Sequence, residues 1–358
     1  MNSSQDASGG LLPVDSALQH EPVAHRAPRP LPLFLELLRE LSADDPELAQ
    51  RALAGLRAYD CATRVERPPP KPEVARRRGA CLRDHGGSGP AAVLIPSLIN
   101  PPRILDLDEQ VSLASAIGLM GRRSLLLDWG PAAERRELDV AGHVEHLLLP
   151  LLGDLGEPPA LIGYCLGGTM AIAAANLTST DRVVTLAAPW HFANYPDVSK
   201  AALNDMWSHA RPAAEQFGAL PMEVLQAAFW SLDPKRTVRK FAQFGLMEPG
   251  SAEARRFVEL EDWSNEGEPL PYPAARELIE DMFAADRPGM NAWRIGEAAM
   301  TDRLPVPLLN IIAMNDRISP PEAAPGGDHV PLGAGHVGMI VGSARERLHE
   351  AIAAFLHD

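Results

Sequence analysis

Five short apolar runs punctuate the chain. "AAVLIPSL" (91–98), "RSLLLDWG" (123–130), "ALIGYC" (160–165), "RVVTLAAP" (182–189) and "PLLNIIAM" (307–314) are apolar nearly throughout rather than at every second position. Such a run is the pattern of a strand buried on both faces. Helical spacing of Leu, Val and Ala separates the early ones, in "DEQVSLASAIGLMG" (108–121), "VAGHVEHLLLPLLGDL" (140–155) and "GGTMAIAAANL" (167–177). Strand–helix alternation predicts a mostly parallel central sheet covered on both sides, an α/β fold. Just upstream, "EVARRRGACLRDHG" reads as a hairpin turning near Gly79.

The rhythm differs elsewhere. Residues 1–30 are rich in Ser, Pro, Gly and His and read as a disordered N-terminal segment. Residues 31–66 form a helical N-terminal segment, whose pattern breaks near Asp44–Asp45 where a second helix would be capped. "RPPPKP" (67–72) is a stiff linker. The alternation also breaks over 190–300, where "AALNDMWSHA", "PMEVLQAAFWSL" and "ARELIEDMF" are helical in spacing. Trp190, Trp207, Trp230, Trp263 and Trp293 all lie there, with Trp129 the one tryptophan outside. We read 190–300 as a helical cap inserted into a core made of 70–189 and 301–358.

Composition narrows the class. With 358 residues, 46% of them hydrophobic, the chain has ample material for a core, and its net charge of −14 argues against nucleic acid or an anionic membrane as the main partner. Cys61, Cys81 and Cys165 are odd in number and lack metal-ligand spacing, so neither a disulfide framework nor a metal site is expected. The N-terminus shows no basic start followed by an apolar core, and runs such as "LLLPLL" (147–152) fall far short of the ~20 residues of a membrane span. A cytoplasmic protein without a transmembrane segment is the expectation.

The chemistry centres on "GYCLGG" (163–168). G-x-C-x-G between a strand and a helix has the form of a nucleophile elbow with sulfur at the nucleophile position. A sharp strand-to-helix turn forces the central residue into an unfavourable conformation and leaves no room for a Cβ beside it, which is why glycines flank it. The helix N-terminus beneath offers free N–H groups and positive potential to an anion. Leu166 would then supply one oxyanion donor, and the loop "PSLINPP" (96–102) the second, with Leu98 the candidate. A cysteine nucleophile needs a base and a group to orient it. Asp316 directly follows a late apolar run, and His336 sits in the Gly-rich "PLGAGHVGMIVG". His329 is a rival base, whereas His143 and His146 sit on a helical pattern as packing or surface residues.

Five segments, in order, resemble the polyhydroxyalkanoate synthases and their PhaC-like α/β-hydrolase relatives over most of 70–358. They are "PSLINPPRILDL" (96–107), "LLLDWG" (125–130), "GYCLGGT" (163–169), "DRISPP" (316–321) and "GHVGMIVG" (335–342). The resemblance implies an α/β-hydrolase fold with Cys165 as acyl-accepting nucleophile, His336 as base and Asp316 as third member. It further implies a 3-hydroxyacyl-CoA thioester as substrate, with no other cofactor, and Asn100, Trp129 and Tyr164 as substrate-binding residues. A homo-oligomer located at polyester granules, or paired with a second synthase subunit, is the implied setting. Two departures stand out: the interval from Asp316 to His336 is short for the family, and so is the N-terminal region. "GYCLGG" is also similar to the elbow of the dienelactone hydrolases, which are compact and uncapped. A thioesterase or esterase on the same scaffold is the main alternative, and a non-catalytic granule partner binding through the tryptophan-rich insertion is another.

Overall fold

The computed structural model describes residues 26–357. An eight-stranded sheet forms the centre: β1 (Glu73–Arg77), β2 (Ala80–Asp84), β3 (Ala91–Ile95), β4 (Arg123–Asp128), β5 (Ala160–Tyr164), β6 (Val183–Leu186), β7 (Leu308–Ala313) and β8 (Asp328–Leu332). The spatial order is β1-β2-β4-β3-β5-β6-β7-β8. The first two strands pair antiparallel and β2 joins β4 antiparallel, while every pairing from β4 to β8 is parallel.

Every residue of β3 and of β5 is buried. Along β3, Ala91, Val93 and Ile95 pack on one face with Leu125, Leu127 and Leu161. Ala92 and Leu94 pack on the other with Leu126, Ile162 and Ile311. Two apolar faces on one strand account for the unbroken apolar runs.

The strand β8 has no counterpart among the five apolar runs. Its sequence, "DHVPL", is polar and mostly exposed, because it lies at the sheet edge and gains its place by backbone pairing to β7. Pro331 is tolerated there for the same reason. Between β7 and β8 the chain makes only a short 3₁₀ turn, Pro321–Ala323. The short Asp316–His336 interval is thus spanned by a tight turn and an edge strand.

The N-terminal helices Leu31–Asp44 and Pro46–Cys61 meet at Asp45, whose carboxylate accepts the Leu48 amide. They do not pack on the sheet. Phe34, Leu38, Ala52 and Tyr59 instead form a separate core with Trp230, Val238, Phe241, Phe244 and Val258 from the 190–300 region. Gly55 makes the closest approach: a Cβ there would lie 1.8 Å from the Phe241 carbonyl oxygen. Arg64 adds a buried polar tie, its guanidinium 3.1 Å from Asp262, which also accepts the Tyr59 hydroxyl at 2.5 Å. The disorder expected for 1–30 falls largely outside the described residues. Residues 26–30 depart from it: the Arg29 amide and guanidinium both donate to Asn265, at 3.0 and 3.1 Å.

Residues 190–300 contain the helices Asp197–Phe217, Met222–Ser231, Pro234–Phe244 and Ala252–Asn265. Its five tryptophans are all buried. No described helix is long and apolar enough to cross a membrane.

Candidate active site

Cys165 caps the helix Leu166–Leu177 at the end of β5 with φ 57° and ψ −133°, a region that non-glycine residues rarely enter. Three glycines make the turn possible. A Cβ on Gly163 would lie 2.4 Å from the Gly167 carbonyl, one on Gly167 would lie 2.1 Å from the Ile95 carbonyl, and one on Gly168 would lie 2.3 Å from Ala188 Cβ. The first two follow from the elbow pattern. The third is set by how closely the helix crosses β6, which the pattern does not encode. The Cys165 amide donates to Leu186 O at 2.9 Å, locking the bend to β6.

His336 reaches the same place from beyond β8. Its Nδ1–H donates to Asp316 Oδ2 at 2.6 Å, leaving Nε2 for another partner. Asp316, from the end of β7, is held in turn by its other oxygen, which accepts the amides of Ile318 at 2.8 Å and Ser319 at 3.0 Å. Burial by itself disfavours an imidazolium. The Cys165 sulfur and the Asp316 carboxylate outweigh it through charge and hydrogen bonding, and His336 is pushed up to about 10. The imidazole thus lies between the Cys165 sulfur and the Asp316 carboxylate, both of which favour its proton.

Cys165, His336 and Asp316 line one cavity of about 570 Å³. That volume lies within the range of small-molecule sites. Asn100 and Tyr164 line it as well. The Tyr164 ring lies 5.0 Å from the His336 ring, and its hydroxyl donates to His336 O at 3.3 Å. Burial raises the Tyr164 phenol well above its ordinary value, so it stays neutral.

Trp129 is not part of the cavity wall, which corrects its assignment as a substrate-binding residue. It is 4% exposed, packs edge-on to His143, and donates its indole N–H to Pro96 O at 3.0 Å. It therefore positions the loop after β3 from below. Leu98 likewise turns its side chain into the core, while Pro96, Ser97, Ile99 and Asn100 of the same loop line the cavity. Leu166 opens the elbow helix, so its amide has no intrahelical acceptor. His329 lies on β8 and contacts Pro325 O through Nε2 at 2.8 Å, apart from the cavity lining. His143 is buried: its Nδ1–H donates to Asp139 O at 2.6 Å, and Nε2 faces the Arg135 guanidinium at 3.2 Å.

Several residues of the site were not singled out from the sequence. Tyr195 donates its hydroxyl to Ile318 O at 3.0 Å and so braces the loop that carries Asp316. Gln226, Phe229, Trp230, Leu260 and Trp263 of the 190–300 region complete the cavity wall. One signal was present: Gln226 interrupts an apolar stripe at helical spacing, between Leu225, Phe229 and Trp230.

A mostly parallel sheet with a nucleophile-type turn after β5, an acid after β7 and a histidine after β8 is the arrangement of the α/β-hydrolase fold. A hydrolase from Pseudomonas aeruginosa shares this fold, with a TM-score of 0.50 at 17% identity over 78% of this chain and 94% of that one. No protein-family model matches the chain. Among curated proteins it is similar to the poly(3-hydroxyalkanoate) polymerase subunit PhaC of Haloferax mediterranei, 26% identical over 270 residues, covering 70% of this chain and 55% of that protein. The subunit of the same name from Allochromatium vinosum is 23% identical over 287 residues, covering 74% of this chain and 80% of its own length. The chain thus spans little more than half the length of the haloarchaeal relatives, 55% for Haloferax and 57% for Haloarcula marismortui. It is PhaC-like in sequence and an α/β-hydrolase in fold.

Proposed function

We propose that this chain is an acyltransferase that carries its acyl group on Cys165 and uses 3-hydroxyacyl-CoA thioesters to extend a polyester. The observation that supports it best is the sharing of one cavity by the Cys165 elbow and the His336–Asp316 pair. His336 takes the thiol proton, and the thiolate attacks the thioester carbonyl. The amide of Leu166, with that of Leu98 from the loop after β3, holds the oxyanion. The carbon–sulfur bond to CoA then breaks, and His336 returns its proton to the departing thiolate. In the second half a hydroxyl of another acyl unit gives its proton to His336 and attacks the acyl-cysteine, forming an ester and releasing the Cys165 thiolate.

Thiol-for-thiol exchange is nearly balanced in energy, so the acyl group stays activated for transfer. Water is the competing nucleophile. Phe229, Trp230, Leu260 and Trp263 give the cavity an apolar stretch of wall, which supports transfer over hydrolysis. The polyester granule, a second subunit and a homo-oligomer remain parts of the same proposal.

Incubation with 3-hydroxybutyryl-CoA, following thiol release and intact protein mass together, tests it. A mass increase on the wild type that disappears in Cys165→Ala is the expected result. Thiol release at full rate in that variant would remove the cysteine from the mechanism. Free hydroxy acid as the sole product would assign the site to a thioesterase instead.

A further inference from the structure

The helix Met222–Ser231 turns Met222, Leu225, Gln226 and Trp230 inward. Met222 and Leu225 are ordinary core residues, and Trp230 lines the cavity with its indole N–H unpartnered among the described residues. Gln226 is 6% exposed, lines the cavity that holds Cys165, and has no side-chain hydrogen-bond partner among the described residues. A carboxamide carries two donor hydrogens and an acceptor oxygen, all left for an occupant of the cavity.

Three charged or hydroxyl neighbours in the cavity lining are engaged. Thr237 Oγ1–H donates to Asp233 O at 3.3 Å, Lys240 pairs with Glu261 at 2.7 Å, and Arg317 pairs with Asp233 at 2.8 Å. Gln226 is therefore an unpaired polar side chain on the wall of the cavity that Cys165 also lines, a wall it shares with Phe229, Trp230, Leu260 and Trp263.

We propose that Gln226 reads a hydroxyl on the acyl chain delivered to Cys165, so that the site selects hydroxyacyl over plain acyl thioesters. The inference rests on the acyl-cysteine reading above. A hydroxyl donates one hydrogen and accepts another, and the carboxamide oxygen and N–H match that pair. A carboxylate on the substrate would call for a cation instead. Arg236, which has no ion pair among the described residues, is exposed, and Arg317 has a side chain 63% exposed, which places positive charge where a carrier's phosphates enter from solvent rather than along a buried acyl chain.

Single-turnover acylation of Cys165 by 3-hydroxybutyryl-CoA and by butyryl-CoA, in the wild type and in Gln226→Leu, decides the matter. The wild type is expected to favour the hydroxylated substrate. Gln226→Leu is expected to slow it roughly tenfold to a hundredfold and to change the butyryl rate by less than about twofold, collapsing the preference. Unchanged butyryl acylation also shows that the variant is folded. A second variant, Gln226→Glu, keeps an acceptor and is expected to recover part of the preference.

Equal slowing on both substrates would overturn the proposal, since it would mark Gln226 as a contact to the shared carrier or as structural. A wild type without preference would overturn it as well. Failure of both substrates to add mass to wild-type Cys165 is a different outcome, and it would bring down the acyl-cysteine reading itself.

Discussion

Asp316→Asn is the most demanding test of the site, because it changes a charge while keeping the shape. Asp316 Oδ1 accepts the amides of Ile318 and Ser319, and Oδ2 accepts the Nδ1–H of His336 at 2.6 Å. An asparagine has a single acceptor oxygen. Two backbone donors hold that oxygen where Oδ1 was, so the side-chain NH₂ is left facing the imidazole. Nδ1 must then accept, which moves the ring proton to Nε2, the nitrogen needed to receive the thiol proton. The carboxylate is also one of the two groups, with the Cys165 sulfur, that push His336 up to about 10, so the imidazole shifts down when it is lost. We expect acylation to slow by about two to four orders of magnitude, the range for loss of a positioned general base with its tautomer reversed. Stability should fall by only about 1.5–3 kcal/mol, the worth of a charge-assisted hydrogen bond. Stopped single-turnover release of thiol, alongside urea unfolding, measures both. Acylation at wild-type rate in a folded Asp316→Asn protein would refute the assignment of His336 as base through its bond to Asp316.

Other expectations follow from the same coordinates. Gly167→Ala puts a Cβ 2.1 Å from the Ile95 carbonyl, so both the elbow and β3 must move. A loss of about 1–3 kcal/mol in chemical denaturation, with acylation abolished, is expected. Arg64→Ala strands Asp262, which is buried with Tyr59 as its remaining hydrogen-bond donor among the described residues, and should cost about 3 kcal/mol. A differential-scanning midpoint within a degree of wild type would contradict it. Burial and the nearby Asp139 raise Glu277 to about 7 although it accepts the Ala141 amide and the Trp293 indole N–H. The folded state therefore holds a proton that the unfolded chain releases near 4.5, and stability should fall as pH rises from about 4.5 to 7. Glu277→Gln should flatten that slope in urea midpoints measured across the window. His336 has the same sign of linkage at higher pH: its contribution is complete below about pH 6.5 and is lost as pH rises through about 10, which a comparison with His336→Ala isolates.

Much of the fold was legible because its signals are local. Strands covered on both faces must be apolar throughout, and β3 to β7 read as such. A cysteine can sit at a strand–helix bend with positive φ only if its neighbours lack side chains, so Gly163 and Gly167 announced the elbow. The acid and the histidine were readable from their positions after a strand and in a Gly-rich loop. Trp129 misled, since an aromatic next to a conspicuous strand end looks the same in sequence whether it faces a cavity or supports a loop from beneath.

The amino-acid sequence by itself thus determined the layered α/β architecture, the bend that carries Cys165, and the order in which thiol, carboxylate and imidazole arrive along the chain. Tertiary structure alone decided three things. The edge strand β8 exists through backbone pairing to β7, which requires no apolar side chains and leaves no pattern. The N-terminal helices pack on the 190–300 helices rather than on the sheet, because Gly55 allows a backbone contact with Phe241 that only the two surfaces together define. And Gln226 lines the same cavity as Cys165 with its side-chain hydrogen bonds unused among the described residues: burial and lack of a partner are properties of a surrounding shell assembled from distant segments, not of any one stretch of chain.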